Sequence, residues 1–462
     1  MINKKNIIKL IKIFFVVLMS HFLIMTFLKF KLWQDLGLHM FSSNLWALWK
    51  EFFLSIIYVL ILIVNYKQYK FSLKKYFAGE FHIKITFLVI AFTIIWFIVS
   101  FLNKLPLSTI FLGVKYDLIM LLPIIFFPML KIDKYDLQDF VDFLLILIKY
   151  VLFFSLLFWT VRMLDPIFLK NFGFGRYNAF IPGHKPPYFY GTVDTRLYST
   201  IRESGIFAGP NVLAFFTVFV FPIVFVYYIS TPKEQRKIWI TTIFLIMFLL
   251  IVSLSRTALI GLFLEILLIM FYYTYINKSK LSKPIKKVFG YIWLGFLLVI
   301  IAGVINAFQV WIYESLLYRM IVRSASTWWH FQNMMNGFFM FLWNIWWLWF
   351  GTAWPAAVQA WTGIVPENRW LQIFLETWIF WWILYISLFF YILYTLYILS
   401  QKQKQEFFKN FYFFAMVALM SIMVAGLFLH MFDDSMISLF VTGFIWIILW
   451  IKNEDNNKKQ IR

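Results

Sequence analysis

Long apolar runs separated by short lysine-bearing turns repeat along the whole chain. The apolar core of a bilayer takes about 20 residues of helix, because lipid offers open strands and loops nothing to hydrogen-bond. Measured against that length, the runs predict about twelve spans. They centre on residues 10–30, 44–65, 82–102, 112–130, 140–163, 211–230, 238–254, 256–276, 288–308, 370–400, 411–430 and 435–451. The expected fold is therefore an all-α, polytopic membrane protein. The first run follows Lys4, Lys5, Lys9 and Lys12 and carries no small-residue cleavage site, so it reads as an uncleaved span rather than a signal peptide.

Lysine and arginine in short loops are retained on the cytoplasmic side. The connections bearing Lys67, Lys70, Lys74 and Lys75, then Lys233, Arg236 and Lys237, then Lys278, Lys280, Lys283, Lys286 and Lys287, then Lys402, Lys404 and Lys409 all fall on one side. Both ends of the chain fall there too, which predicts cytoplasmic termini in a cytoplasmic (inner) membrane. Two longer connections, 164–210 and 309–369, land on the outer side, where long ordered loops tend to carry function. The expected organisation is five spans in 1–163, the loop 164–210, central spans in 211–308, the loop 309–369, and final spans with a short tail in 370–462.

Composition agrees and narrows the chemistry. The chain is 63% hydrophobic and 14% charged, far from the balance of soluble domains. Its net charge of +21 is largely this topology signal, so a nucleic-acid partner is not expected. With no Cys and 6 scattered His, thiolate chemistry and a zinc centre are not expected. No nucleotide cradle or Walker signature is present either, which argues against an ATP-driven pump or a nucleotide-sugar transferase.

Arginine is the informative residue. Arg162, Arg176, Arg196, Arg202, Arg256, Arg319, Arg323 and Arg369 fall on or near the outer face, whereas the inner loops use lysine. Topology does not explain them, and the guanidinium fork suits bidentate recognition of phosphate or carboxylate. An outward-facing anion site is expected; the alternative for any one arginine is a loop ion pair with Asp194, Glu203 or Glu314. Arg202 lies in YSTIRESGIFAGPNVLAFF, where Gly205, Gly209 and Pro210 shape a turn and Asn211 is expected to cap the sixth span. Arg256 lies in IVSLSRTALIGLF, between two apolar runs with almost no loop, which places it at the membrane boundary.

These residues resemble the O-antigen ligase and O-antigen polymerase superfamily of bacterial membrane glycosyltransferases. The resemblance covers about 195–450 and rests on the order of its motifs. They are Arg202, Gly205, Pro210 and Asn211 at the head of one span, Ser255 and Arg256 at the head of another, the segment SASTWWHFQNMMNGF, and Glu367 with Asn368 before LQIFLETWIFWWILY. The resemblance implies transfer of a glycan from a polyprenyl diphosphate-linked oligosaccharide to a glycan acceptor at the outer membrane surface, with no metal and no cofactor. Arginine then stabilises the leaving diphosphate, a role that falls to Arg202 and Arg256, with Arg196, Arg319 and Arg323 in support and Asn211 and Arg369 among the substrate-binding residues. A base must meet the acceptor hydroxyl. Ligases of the family hold His at that position, and this chain has Glu367, which points to the polymerase branch. His330 is the alternative base, and the other reading of Glu367 is an acid at a helix N-terminus. His430, Asp433 and Asp434 form an outer turn that orients the acceptor sugar or braces the long loop. Lys115 and Asp117 are an intramembrane pair, either bonded to each other or facing the lipid diphosphate.

A polymerase of lipid-linked repeat units for an O-antigen, capsule or exopolysaccharide is the expected function, with an O-antigen ligase as the near alternative. From another class, a lipid-linked oligosaccharide flippase or other secondary transporter also has about twelve spans; transporters place charge near the bilayer midplane and often carry internal repeats.

One departure from the family pattern concerns tryptophan. Where the family reads N-x-x-G-x-G-x-G-T-x-G and then E-x-G-x-x-G, this chain has Trp347, Trp349, Trp354, Trp378 and Trp381. Glycine serves turns and close helix contacts, which Trp cannot. An interfacial aromatic belt would spread Trp over both ends of all spans. Instead, twelve of the 22 Trp lie in 328–382, and the 22 Trp and 18 Gly together come near the ordinary glycine share of about 7%. We expect many of these Trp to be glycine in the organism, through a reassigned codon. Sequencing the gene tests this: codons that are stops in the standard code are expected at the five positions, and ordinary tryptophan codons at all of them end the explanation.

Overall fold

The computed structural model describes residues 3–24, 49–69, 121–164, 204–273, 379–427 and 435–449, apart from single positions within them. It also describes a few short stretches at 84–101, 290–291, 332–342 and 370–371. Among the described residues the chain is helical and contains no strand. Six helical stretches are long and apolar enough to cross a membrane.

Helix α1, Lys4–Met19, is capped by Asn3, whose side chain accepts the Asn6 N–H at 3.0 Å. Its buried Ile7, Ile11, Phe14, Phe15 and Leu18 recur at helical spacing, and Phe14 packs on Trp49 and Phe53 of α2, Trp49–Tyr69. At the far end of α2, the Asn65 amide donates to the Met129 carbonyl at 2.7 Å. That carbonyl belongs to a 3-10 turn, Phe127–Leu130, which follows the short helix α3, Leu122–Phe126. The expected span at 112–130 thus ends in a tightened turn that carries Pro128. The proline has no N–H for the helical ladder.

Helix α4, Lys134–Leu164, opens on a reciprocal cap. The Asp136 N–H donates to the Asp133 carboxylate at 2.8 Å, and the Asp133 N–H reaches the Asp136 carboxylate at 3.5 Å. Lys4 pairs with Asp136 and lies 3.8 Å from Asp133, while Lys12 meets Asp139 at 2.7 Å, so α1 and α4 are tied near their N-termini.

Helix α5, Pro210–Ser230, is the axis of the bundle, apolar around its whole circumference and buried from Leu213 to Tyr228. Such a helix belongs in a core, here or in lipid. Its C-terminal end is joined to α4 by the Tyr227 hydroxyl, which donates to Asp142 at 3.1 Å and accepts from the Gln138 amide at 3.3 Å. A 3-10 turn, Lys233–Gln235, reverses the chain into α6, Arg236–Ser253. The Arg236 guanidinium folds back onto the Thr231 carbonyl at 2.8 Å, a cation at a helix C-terminus.

Helix α7, Arg256–Phe271, follows almost at once. Helices α8, Ile379–Lys402, and α9, Glu406–Ala425, form a hairpin closed by Ser400, whose hydroxyl donates to the Lys409 carbonyl at 2.9 Å. Helix α10, Ser435–Leu449, brings Phe440 and Phe444 against Phe219 of α5, and Phe440 against Phe15 of α1. Helix α5 touches α6, α7, α9 and α10.

Helix directions sort the charges. Lys4, Lys5, Lys9, Lys12, Lys134, Lys233, Arg236, Lys237, Lys402, Lys404 and Lys409 gather at one end, where α1, α4 and α9 begin and α5 and α8 finish. Arg256 stands at the other end.

The Asp133 carboxyl is held below its ordinary value of 3.8 by the Asp136 N–H, with the Lys4 ammonium adding in the same direction and burial opposing. A folded-state value below the unfolded one stabilises the protein above the unfolded value, and this contribution is lost as pH falls through the lowered one. Asp133→Ala should therefore cost about 1 kcal/mol near neutral pH, with the gap closing below about pH 4. Thermal unfolding in detergent micelles across that range checks it; a gap independent of pH contradicts the cap.

Candidate functional site

The end of the bundle opposite the lysines is built from four segments. The first is the turn before α5. The Phe207 N–H donates to the Ser204 carbonyl at 3.0 Å, and Gly205 takes φ +54°, a conformation that a side chain opposes. The turn also presses onto α4: a Cβ at Gly205 would lie 2.4 Å from the Ser155 hydroxyl oxygen. Buried Phe207 locks the turn to the axis through its ring contact with Phe216 at 5.1 Å.

The second segment is the head of α5. Gly209 is the capping residue, with its carbonyl accepting the Val212 and Leu213 N–H groups, and Pro210 is the first helical residue. Asn211, expected as the cap, is instead the second residue of the helix. The cap moves upstream because a proline prefers the first helical position, where its missing N–H has no partner to lose. Asn211 is half-buried there.

The third segment is the elbow between α6 and α7, as short as the apolar pattern predicts. The Ser253 hydroxyl donates to the Leu250 carbonyl at 2.6 Å and accepts the Ser255 N–H at 3.4 Å, which turns the chain within two residues. Ser255 occupies the capping position of α7 without forming a side-chain cap, and its hydroxyl is buried and unpartnered. Arg256 follows as the first residue of the helix, partly buried. Helices α5 and α7 pack together and run in the same direction, so both present their N-termini, the positive ends of their dipoles, at this end. An anion here would meet the positive ends of both helix dipoles as well as the guanidinium.

The fourth segment is the end of α9. Trp370 is buried, donates its indole N–H to the Met423 carbonyl at 2.9 Å and packs on Tyr385 and Phe389. The structure accommodates it as tryptophan.

Of the residues singled out in the sequence, the structure thus brings Gly205, Pro210, Asn211, Ser255 and Arg256 to one end. Arg176, Arg196, Arg202, Arg319, Arg323, His330, Glu367, Asn368, Arg369, His430, Asp433 and Asp434 lie outside the described residues. So do Lys115, Asp117, Trp347, Trp349, Trp354 and Trp378, and the side chain of Trp381. Among the described residues, no group of His, Asp and Glu is placed to hold a metal ion.

One residue escaped the sequence reading. Glu265, within α7, is 0% exposed, and neither carboxyl oxygen has a hydrogen-bond partner. Its signal was present, since it is the lone charge between Arg256 and Lys278. Attention to charge in loops passed over it.

Gly205→Ala should destabilise the protein by about 1–2 kcal/mol from backbone conformation alone, and by more from the collision with Ser155. Adding Ser155→Gly should recover only the second part, read by thermal unfolding in lipid nanodiscs; full recovery would show that the positive φ is not required. Comparison of the chain with family models, with curated proteins and with solved structures finds no match in any of the three.

Proposed function

We propose that this protein is a membrane glycosyltransferase that polymerises polyprenyl diphosphate-linked oligosaccharide repeat units at the outer face of the cytoplasmic membrane. The observation that carries the reading is Arg256 at the head of α7, at the same end of the bundle as the Gly205–Pro210 turn. Two motifs separated in sequence are thereby brought to one end of the bundle. Supporting the orientation, the lysines collect at the opposite end, as the positive-inside rule requires of a cytoplasmic face. In this reading about twelve spans surround the site, with the loops 164–210 and 309–369 above it.

The chemistry follows from charge. As the glycosidic bond to the carrier breaks, negative charge builds on the departing diphosphate, and Arg256 with Arg202 neutralises it in surroundings that exclude water. Helix N-termini add to that field without needing a metal. Glu367 takes the proton of the acceptor hydroxyl. Arg196, Arg319, Arg323 and Arg369 hold the carrier's phosphates, and His430 and Asp433 hold sugar. With the acceptor changed to a lipid or wall component, the same machinery performs the ligase reaction.

One observation favours the transporter reading. Glu265 lies nine residues into α7, about 14 Å at 1.5 Å per residue, or near the middle of a core about 30 Å thick. Charge at that depth is what a secondary transporter uses.

Purified protein in lipid nanodiscs, given a polyprenyl diphosphate-linked oligosaccharide and no nucleotide, should yield a ladder of multiples. Arg256→Ala and Arg202→Ala should each abolish the ladder while leaving the protein inserted, and Glu367→Gln should lower the rate at least about a hundredfold. Near-normal product from either arginine variant removes the diphosphate role. An intact donor with wild-type protein moves the transporter reading forward.

A further inference from the structure

Helix α7 buries Ala258, Gly261, Leu262, Glu265, Ile266 and Ile269 against its neighbours. At Gly261 the approach is close: an added Cβ would lie 3.3 Å from Val218 of α5 and 3.7 Å from the Ser421 carbonyl of α9. One turn further along the same face stands Glu265. The Ser421 hydroxyl faces it but donates its hydrogen to the Val417 carbonyl at 3.0 Å. Helix α5 carries Pro222 four residues beyond Val218, as Glu265 lies four beyond Gly261, and the two helices run parallel. Proline has no N–H, so the Val218 carbonyl lacks its helical donor at this depth. An acid without an acceptor and a carbonyl without a donor therefore occupy one level of adjoining helices.

The charged and titratable groups around this level are few. Helix α5 contributes none between Pro210 and Tyr227. Helix α9 has Tyr412, nine residues from Ser421, and Glu406 at its start. On α7, Arg256 is nine residues away, and Tyr272 and Tyr273 follow seven and eight residues on, with the Tyr272 hydroxyl donating to Asn410 at 3.2 Å. No described cation faces the carboxyl, and an ionised carboxylate left unpaired in apolar surroundings is too costly to persist.

We infer that Glu265 is a proton-binding site inside the membrane span: in the closed bundle it carries a proton directed toward the Val218 carbonyl freed by Pro222, and it releases that proton to solvent only when α7 parts from α9. The carboxylic acid is both donor and acceptor and suits the carbonyl, whereas the carboxylate is an acceptor facing an acceptor. Release breaks the O–H bond, sends the proton to water and leaves a carboxylate that needs hydration, so an emptied site favours the open seam. Ionisable groups at such depth serve proton movement in membrane proteins generally. The inference does not depend on the glycan-transfer reading.

The test uses the full chain in lipid nanodiscs and dicyclohexylcarbodiimide, an apolar reagent that attacks protonated carboxyls, with adducts located by peptide mass. The Glu265 adduct should change by less than about twofold between pH 6 and pH 8, whereas an ordinary glutamate loses about a hundredfold of its acid form over that range. Infrared spectra should show a carboxylic-acid carbonyl stretch at pH 7 that Glu265→Gln removes and Pro222→Ala shifts, by returning an N–H to Val218. A folded wild-type protein whose adduct falls a hundredfold over that range, or which lacks the acid stretch at pH 7, overturns the site. A stretch indifferent to Pro222→Ala overturns the pairing with Val218. The wild-type spectrum across pH decides the first point even if Glu265→Gln fails to fold, and loss of the glycan ladder in Arg256→Ala leaves these readouts untouched.

Discussion

The burial of α5 on all sides sets the terms for everything around it. A helix with no face turned to lipid or water must find an apolar partner in every direction, and α6, α7, α9 and α10 supply those partners. Close packing of several helices around one axis requires small residues where backbones approach. Gly261 provides this for α7, and Gly443 of α10 instead makes room for a ring, since an added Cβ would lie 3.0 Å from Phe15. Aromatic rings fill the remaining volume through edge-on contacts such as Phe219 with Phe444 and Phe225 with Phe414.

Around that apolar axis the ion pairs among the described residues lie at the lysine end, while Glu265 is a buried carboxyl within α7. At the lysine end polar groups meet in pairs such as Lys12 with Asp139 and Tyr227 with Asp142. At the arginine end the pattern differs: the Ser155 and Ser255 hydroxyls are buried without partners near a glycine turn and a helix head. These two hydroxyls are unspent hydrogen-bonding capacity beside the N-termini of α5 and α7.

Much of the fold was legible because the lipid requirement makes apolar length a direct readout of helices. The near-absence of a loop before Arg256 was visible as two apolar runs with nothing between them, and the turn before α5 was visible in Gly205, Gly209 and Pro210. Boundaries were less legible. Asn211 lost the capping position to Gly209 because its neighbour is proline, and α1 begins at Lys4 because long lysine stems extend a helix beyond its apolar run. Glu265 was missed for a different reason: one acid in a long apolar run does not disturb its average, and only packing shows that no cation comes to meet it.

The contact of Phe15 with Gly443 and Phe440 has a bearing on biogenesis. It joins helices separated by more than 400 positions along the chain. Until α10 has emerged from the ribosome and inserted, the flank of α1 that receives it has Phe140 of α4 beside it but lacks its last partner. Final closure of the bundle is therefore a late, long-range event, and the nascent protein passes through a stage in which its earliest helices wait, inserted but incompletely packed.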